Sequence, residues 1–278
     1  MIAARAHHGS AALRHVVLIA SSLFILMPFV WMVSLSIKSP QEAFQQTISL
    51  IPSVFYGHEN YQRAFVDVPL LRFMGNGLLI CISVLVIQLA IAAPSAYALA
   101  KLEFRGRDAI FAMVLVGLLI PHQVLAIPLF ILFNKIGILN SYASLILPGV
   151  ISPFGIFLLR QFFKAVPDDL IHAARLDGLS ELSIVWRIMV PSSMSAVIAF
   201  SILSVVSRWN DLFLPLIFIQ DQQLLTPPAG IMLFRSEEAG NSYGPLMAAA
   251  TLIVAPLLIA FLIAQRRFIE GLTVSGLK

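Results

Sequence analysis

Charge is what this sequence has least of. Of its 278 residues only 12% are Asp, Glu, Lys or Arg, while 59% are hydrophobic. A soluble domain carries about a quarter charged residues. Twenty phenylalanines and nine methionines exceed what one soluble core of ordinary design hides, so lipid is the solvent for most of the chain. Cysteine is nearly absent too. The lone Cys81 excludes an intramolecular disulfide and any cysteine-based metal site, and fits a small buried apolar position. No G-x-x-x-x-G-K-[S/T] phosphate loop occurs, which excludes ATP hydrolysis by that machinery within this chain. There is no low-complexity tract and no fixed-period repeat.

What is present is a series of long apolar runs. Six are long enough to cross a bilayer, for which about 20 residues are needed: Val16–Ile37, Asn76–Ala100, Ala109–Phe133, Ala143–Leu159, Ile188–Ser207 and Pro245–Ala264. Pro121 and Pro128 predict a kink or break in the third. The first run is too long for a signal-peptide core and no small-residue cleavage site follows it, so it is expected to stay attached. With the N-terminus inside, twelve basic residues fall on the cytoplasmic side (Arg5, Arg14, Lys101, Arg105, Arg107, Arg160, Lys164, Arg175, Arg187, Arg266, Arg267, Lys278). Six fall outside (Lys38, Arg63, Arg72, Lys135, Arg208, Arg235). By the positive-inside rule both termini are cytoplasmic. The expectation is an all-α polytopic membrane protein with a cytoplasmic segment 1–15, a six-helix domain 16–264 with a cytoplasmic loop at 160–187, and a cytoplasmic tail 265–278. The basic residues are scattered in short loops without a basic stripe, so nucleic acid is not an expected partner.

The six runs contain no Asp, Glu, Lys or Arg. A charge at the bilayer centre costs about 2.5–3.5 kcal/mol or more and is kept chiefly for function. Proton-coupled carriers commonly keep a carboxylate there, so a proton-driven transporter is disfavoured. His122, beside Pro121, has no second histidine or carboxylate at ligand spacing, and no serine–histidine–acid set can be assembled at that depth. The chain is not expected to be an enzyme, nor to bind a metal or cofactor.

The segment between the fourth and fifth runs carries the most information. Pro167 suits a first helical turn, Asp168 and Asp169 complement the positive end of the dipole, and Gly178 suits a left-handed stop. Ser180 can cap a second helix bearing Leu182, Val185, Trp186 and Met189. The result is a helix, a glycine turn and a second helix, with Ala173 and Ala174 leaving a shallow surface for another protein's backbone. By itself this hairpin also fits an amphipathic connector at the membrane surface.

His172-Ala173-Ala174-Arg175-Leu176-Asp177-Gly178, followed by Ile188 and Pro191, resembles the EAA loop of ABC importer permeases, whose pattern is E-A-A-x-x-D-G, nine variable residues, then I-x-L-P. His172 stands where that family usually has Glu, and Val190 where it has Leu. Two accounts fit the missing negative charge: the ATPase partner has changed to suit, or Asp169, one turn before His172, supplies it. Further stretches are similar to the carbohydrate-uptake branch, on the side of the shorter permease subunit of the maltose transporter. They are Ala96–Ala100 with Phe104–Arg107, Ile120–Pro128 with Gly137–Asn140, Phe157–Phe163, Trp209-Asn210-Asp211 and the tail from Gly271 to Lys278.

The resemblance implies the type I ABC importer permease fold in the bacterial inner membrane, with import by alternating access. It implies partners: a second permease subunit in a heterodimer, two ATPase subunits that bind ATP and Mg, and an extracytoplasmic solute-binding protein. It implies that Asp169, His172, Ala173, Ala174, Arg175, Asp177, Gly178, Ile188 and Pro191 form the coupling element seated on an ATPase subunit, and that Gly276 and Lys278 in the tail also touch it. In the maltose system the sugar site lies in the other permease subunit.

For a solute path in this chain the candidates are Ser201, Ser204, Trp209 and Asn210. Serines at every third position, Ser207 included, can donate hydroxyls to a sugar or serve close helix packing. Trp209 and Phe213 can stack on a sugar ring or anchor a helix end at the interface. A self-sufficient secondary transporter or channel with a chance loop is the competing reading.

Overall fold

A computed structural model of the protein describes residues 2–43, 49–235 and 243–275. Among these residues every regular element is helical: α1 (Ile2–Ser36), α2 (Pro40–Ala43), α3 (Gly57–Val66), α4 (Leu70–Lys101), α5 (Arg107–Leu119), α6 (Ala126–Lys135), α7 (Tyr142–Ile146), α8 (Pro153–Ala165), α9 (Asp168–Leu176), α10 (Glu181–Ile184), α11 (Val190–Ser192), α12 (Met194–Trp209), α13 (Phe213–Phe218), α14 (Pro227–Gly230) and α15 (Tyr243–Ser275). Four stretches are long and apolar enough to cross a membrane: Leu13–Ser36, Leu70–Lys101, Tyr142–Ala165 and Tyr243–Ile263. Two bent pairs also qualify if each counts as one span. Leu18, Phe24, Ile25 and Met27 of α1 are all exposed, an apolar surface suited to lipid and not to water.

Both bends have local causes. The third apolar run breaks at Pro121, where α5 ends, a 3-10 turn spans His122–Leu125 and α6 departs at 91°. Pro128 lies inside the first turn of α6, where a missing N–H costs nothing, so it does not bend the chain. The fifth run differs from the continuous helix expected over Ile188–Ser207. A π-turn at Val185–Met189 leads into α11, the chain breaks at Ser193, and α12 leaves at 87°. Pro191 offers no N–H to the carbonyl four residues back, at Arg187, and its ring crowds that carbonyl, which suits the widened π-turn before it. The bend itself falls two residues later, at Ser193, whose backbone (φ −119°, ψ 30°) leaves helical geometry. The fourth run is interrupted too, with a 3-10 turn at Leu147–Gly149 between α7 and α8.

The chain divides into two compact units. One comprises Met1–Pro69 and Ile231–Val254. In it Asn60 is buried and donates its amide to the carbonyls of Ser36 (3.0 Å) and Lys38 (2.8 Å), tying α3 to the end of α1. The second unit comprises Leu70–Gly230 and Ala255–Lys278. Its core brings Ala92, Ala93 and Ala96 of α4 against Leu159 and Phe163 of α8 and Ala196 and Val197 of α12. Alanines on α4 let the neighbouring backbones approach closely.

Within this second unit, Gly155 of α8 shows how little slack there is. A Cβ there would lie 2.6 Å from the ring of Phe200 on α12. Overpacking of this kind costs about 1–3 kcal/mol. Gly155→Val should therefore lower the midpoint of thermal unfolding in detergent clearly more than Gly155→Ala, as read by a fluorescence melt. Equal midpoints for the two variants would mean that α8 and α12 separate freely.

Candidate functional site

The site is the surface hairpin formed by α9, the Gly178 turn and α10. The chain leaves α8 in extended geometry at Val166 and Pro167, and α9 begins at Asp168. Pro167 therefore stands just before the first turn, not within it. The end of α9 is a Schellman turn: Leu179 donates its N–H to the Ala174 carbonyl and Gly178 to that of Arg175, both at 3.0 Å. That closure demands a left-handed residue, and Gly178 adopts φ 79°. Leu179 and Ala174 then meet in the same apolar cluster. Ser180 caps the next helix by accepting the N–H of Ser183 at 3.3 Å.

Two residues at the C-terminal end of α4, Tyr97 and Lys101, fasten this hairpin, and Leu99 between them binds α8. The Tyr97 hydroxyl donates to Glu181 Oε2 at 2.5 Å. The Leu99 carbonyl accepts from Arg160 Nε at 3.1 Å, and the Arg160 guanidinium lies 3.7 Å from the centre of the Phe111 ring. Lys101 Nζ donates to the Val166 carbonyl and to Asp168 Oδ1, both at 2.6 Å, bridging the α8–α9 joint. Arg175 closes the hairpin from within: its Nε and Nη2 reach Glu181 Oε1 and Oε2 at 2.8 and 3.2 Å, a two-pronged pair. The hydrogen bond and charge of Lys101 hold Asp168 below the usual carboxylate range. Hydrogen bonds from Arg175 and then from Tyr97 do the same for Glu181.

The outward face of α9 carries Asp169, His172, Ala173 and Leu176, spaced so that they lie on one side of the helix. Ala174 is buried against the hairpin's own core, so the shallow surface expected from both alanines belongs to Ala173 alone. Neighbouring helical positions point about 100° apart, and this step turns Ala174 toward the hairpin's core while Ala173 stays exposed. Leu176 is 90% exposed and was not anticipated. Its signal was an apolar residue one turn after Ala173 on a short charged helix. Arg175 and Asp177 are exposed at the turn, while Ile188 is half-buried in the π-turn and Pro191 is exposed at the bend. Gly276 and Lys278 lie outside the described residues.

The four candidates for a solute path do not gather in one place. Ser201 donates to the Val197 carbonyl of its own helix at 2.7 Å, and Asn210 to that of Val206 at 2.9 Å. Trp209 is buried, with its ring near Gly77 of α4. Ser204 is also buried, and its hydroxyl donates to Gln88 Oε1 at 2.6 Å while Gln88 Nε2 donates to the Gly149 carbonyl, also at 2.6 Å. This chain satisfies a carbonyl freed by the interruption between α7 and α8.

The family model of the binding-protein-dependent transport system inner membrane component matches residues 88–274. The chain belongs to that family. Relatives extend this permease assignment to nearly the full length. The arabinooligosaccharides transport system permease protein of Halalkalibacterium halodurans is 33% identical over 91% of this chain and 91% of its own. The diacetylchitobiose uptake system permease protein of Streptomyces coelicolor is 31% identical over 95% and 88%. Among solved structures, a chain of a bacterial ABC transporter involved in the import of the acidic polysaccharide alginate superposes with a TM-score of 0.80, covering 93% of this permease and 96% of that chain. At 23% identity this likeness establishes the fold alone.

The depressed Glu181 pKa gives the permease hairpin a defined pH response. A carboxyl held below its ordinary value stabilises the fold above that value and loses the contribution as pH falls through the depressed one. Hydrogen-exchange protection at Gly178 and Leu179, corrected for intrinsic rates, should stay flat from about pH 8 to about pH 5 and fall only in stronger acid. Glu181→Gln should be less protected throughout that range and lack the acid step. Equal protection in the two proteins would show that the Arg175–Glu181 tie does not hold the hairpin.

Proposed function

We propose that this permease is one of two translocating subunits of a bacterial ATP-binding-cassette importer that moves a sugar or sugar-like solute into the cytoplasm. The main support is the reach of the relatives: permeases named for arabinooligosaccharides and for diacetylchitobiose align over 91% and 95% of the chain. In this reading the protein is a multi-pass component of the cytoplasmic membrane, with six spans, each bent pair counting as one, and both termini inside. A second permease completes the pathway, two ATPase subunits bind ATP and Mg, and an extracytoplasmic binding protein delivers the solute.

The outward face of α9 then seats on an ATPase subunit. Ala173 permits close approach, Leu176 supplies the apolar contact and Asp169 supplies the negative charge that His172 does not. Motion of the ATPase passes to the spans through Tyr97 and Lys101, since these fasten the hairpin to α4.

The direct test is reconstitution. Liposomes holding the chain with its second permease, ATPase and binding protein should hydrolyse ATP faster when the binding protein is loaded, and liposomes holding the chain alone should show neither hydrolysis nor solute flux. Flux through the chain alone would favour a self-sufficient carrier.

Gly178 gives a sharper test of the coupling face. Nothing lies within 4 Å of a Cβ added there, so a substitution strains only the backbone, by about 1–2 kcal/mol for a residue with a Cβ and more for a β-branched one. Gly178→Val should assemble at normal abundance yet lose most uptake and solute-stimulated ATP hydrolysis, with Gly178→Asn milder. Wild-type rates in Gly178→Val would reduce the hairpin to a connector. Topology is checked separately: cysteines at Glu59 and Gly178 should label from opposite sides of the membrane, and labelling from one side would reject the six-span arrangement.

A further inference from the structure

Beside the two bent helix pairs lies a half-open cavity of about 310 Å³, lined by α4, α5, the Pro121 break, the turn at Gly149, the start of α8 and the C-terminal half of α12. An adjoining space of about 190 Å³ shares His122, Ser207 and Arg208 with it and adds Asp211. Together they reach the lower part of the size range of small-molecule sites.

The lining has an unusual composition for a membrane domain. Arg208 sits in the last turn of α12 with its side chain only 12% exposed, and its Nη1 lies 3.5 Å from Asp211 Oδ2. The guanidinium packs beside Gly149, where a Cβ would come within 3.1 Å of its Cζ. Arginine has five N–H donors, and among the described residues one carboxylate at 3.5 Å leaves most of them unused. Among the described residues the side chains of His122 and Ser207 have no hydrogen-bond partner. An ionised group kept at such a place is a functional signal by default. Beside these polar groups stands Phe154, 39% exposed, tilted against Phe200 at 6.5 Å between ring centres.

The charge balance narrows the ligand. Asp211 offsets Arg208, so the pair adds no net charge and gives a dedicated anion site no advantage. A guanidinium and a carboxylate side by side instead match a diol, offering donors to one hydroxyl oxygen and an acceptor to the neighbouring O–H. An aromatic ring flanking them matches the C–H face of a sugar ring. We propose that this cavity is a solute site within this subunit itself, taking an uncharged sugar ring between Phe154 and the Arg208–Asp211 pair, with Ser207 contributing a further hydroxyl contact. The site rests on the reading of the chain as a sugar importer's permease. It also differs from the arrangement implied by resemblance to the maltose system, in which the other permease subunit binds the sugar.

The test uses the assembled transporter with its binding protein and ATP in proteoliposomes. Four radiolabelled probes are offered: arabinotriose, diacetylchitobiose, maltose and digalacturonate. Wild type should carry at least one of the three neutral probes. Leu203 also lines the cavity, and with Cys81 replaced by alanine, Leu203→Cys should react with a water-soluble maleimide several times more slowly when the transported probe is present. Phe154→Leu should lower the maximal uptake rate about fivefold, the scale of one aromatic contact. Half-saturation should hold, because the binding protein sets it, and Phe154→Trp should restore most of the rate. Maleimide labelling indifferent to the transported sugar overturns the site, as does equal loss in Phe154→Trp and Phe154→Leu, or an unimpaired Phe154→Leu. Carriage of digalacturonate alone overturns the uncharged class. If wild type carries none of the four, the sugar reading itself falls and takes this site with it.

Discussion

A lysine ammonium at the C-terminal end of α4 holds together two parts of the chain that lie 65 residues apart in sequence. Its side chain is 6% exposed, too buried to remain charged without close partners. The Val166 carbonyl and the Asp168 carboxylate supply them, and both belong to the joint where α8 passes into α9. Lys101 cannot be satisfied unless that joint sits at the foot of α4. Once it does, Arg160 reaches the Leu99 carbonyl, Tyr97 reaches Glu181, and the apolar residues Ile171, Ala174 and Ile184 close over the same helix end. The hairpin is thus positioned by interactions whose loss would strand buried polar groups, which makes partial detachment costly.

The interruption of the fourth apolar run obeys a related constraint. Backbone groups freed by a break inside a membrane domain have to be satisfied by protein, because lipid offers neither donor nor acceptor. At Gly149 the free carbonyl takes the amide of Gln88, whose other end takes the hydroxyl of Ser204. Three elements distant in sequence therefore share one polar chain, and the breaks create room for the cavity that carries Arg208.

Hydropathy alone located the apolar runs, because burial in lipid leaves a long unbroken composition signal that needs no partner. The Pro121 break and the Gly178 turn were legible for a different reason: each is a property of one residue's own ring or missing Cβ. The break at Ser193 was hidden, because hydropathy does not register whether a run is one helix or two, and a serine within an apolar run carries no stop signal of its own. Ala174 was misread because a motif records neighbours in sequence and not the directions in which their side chains point. Tyr97 and Glu181 could not have been paired from sequence: they are 84 residues apart, and neither has an unusual local context. Position after the last apolar residue did not disclose that α12 continues through Arg208 and leaves its side chain only 12% exposed.

Gly178 has a stereochemical meaning as well. At φ 79°, with open space where a Cβ would project, the position is hostile to L side chains through handedness and not through crowding. A D-residue finds that same conformation natural, being the mirror image of the ordinary helical one. The turn at the tip of the hairpin is therefore an achiral joint in a chiral chain. Ribosomal synthesis can fill it without strain only with the one amino acid that has no hand.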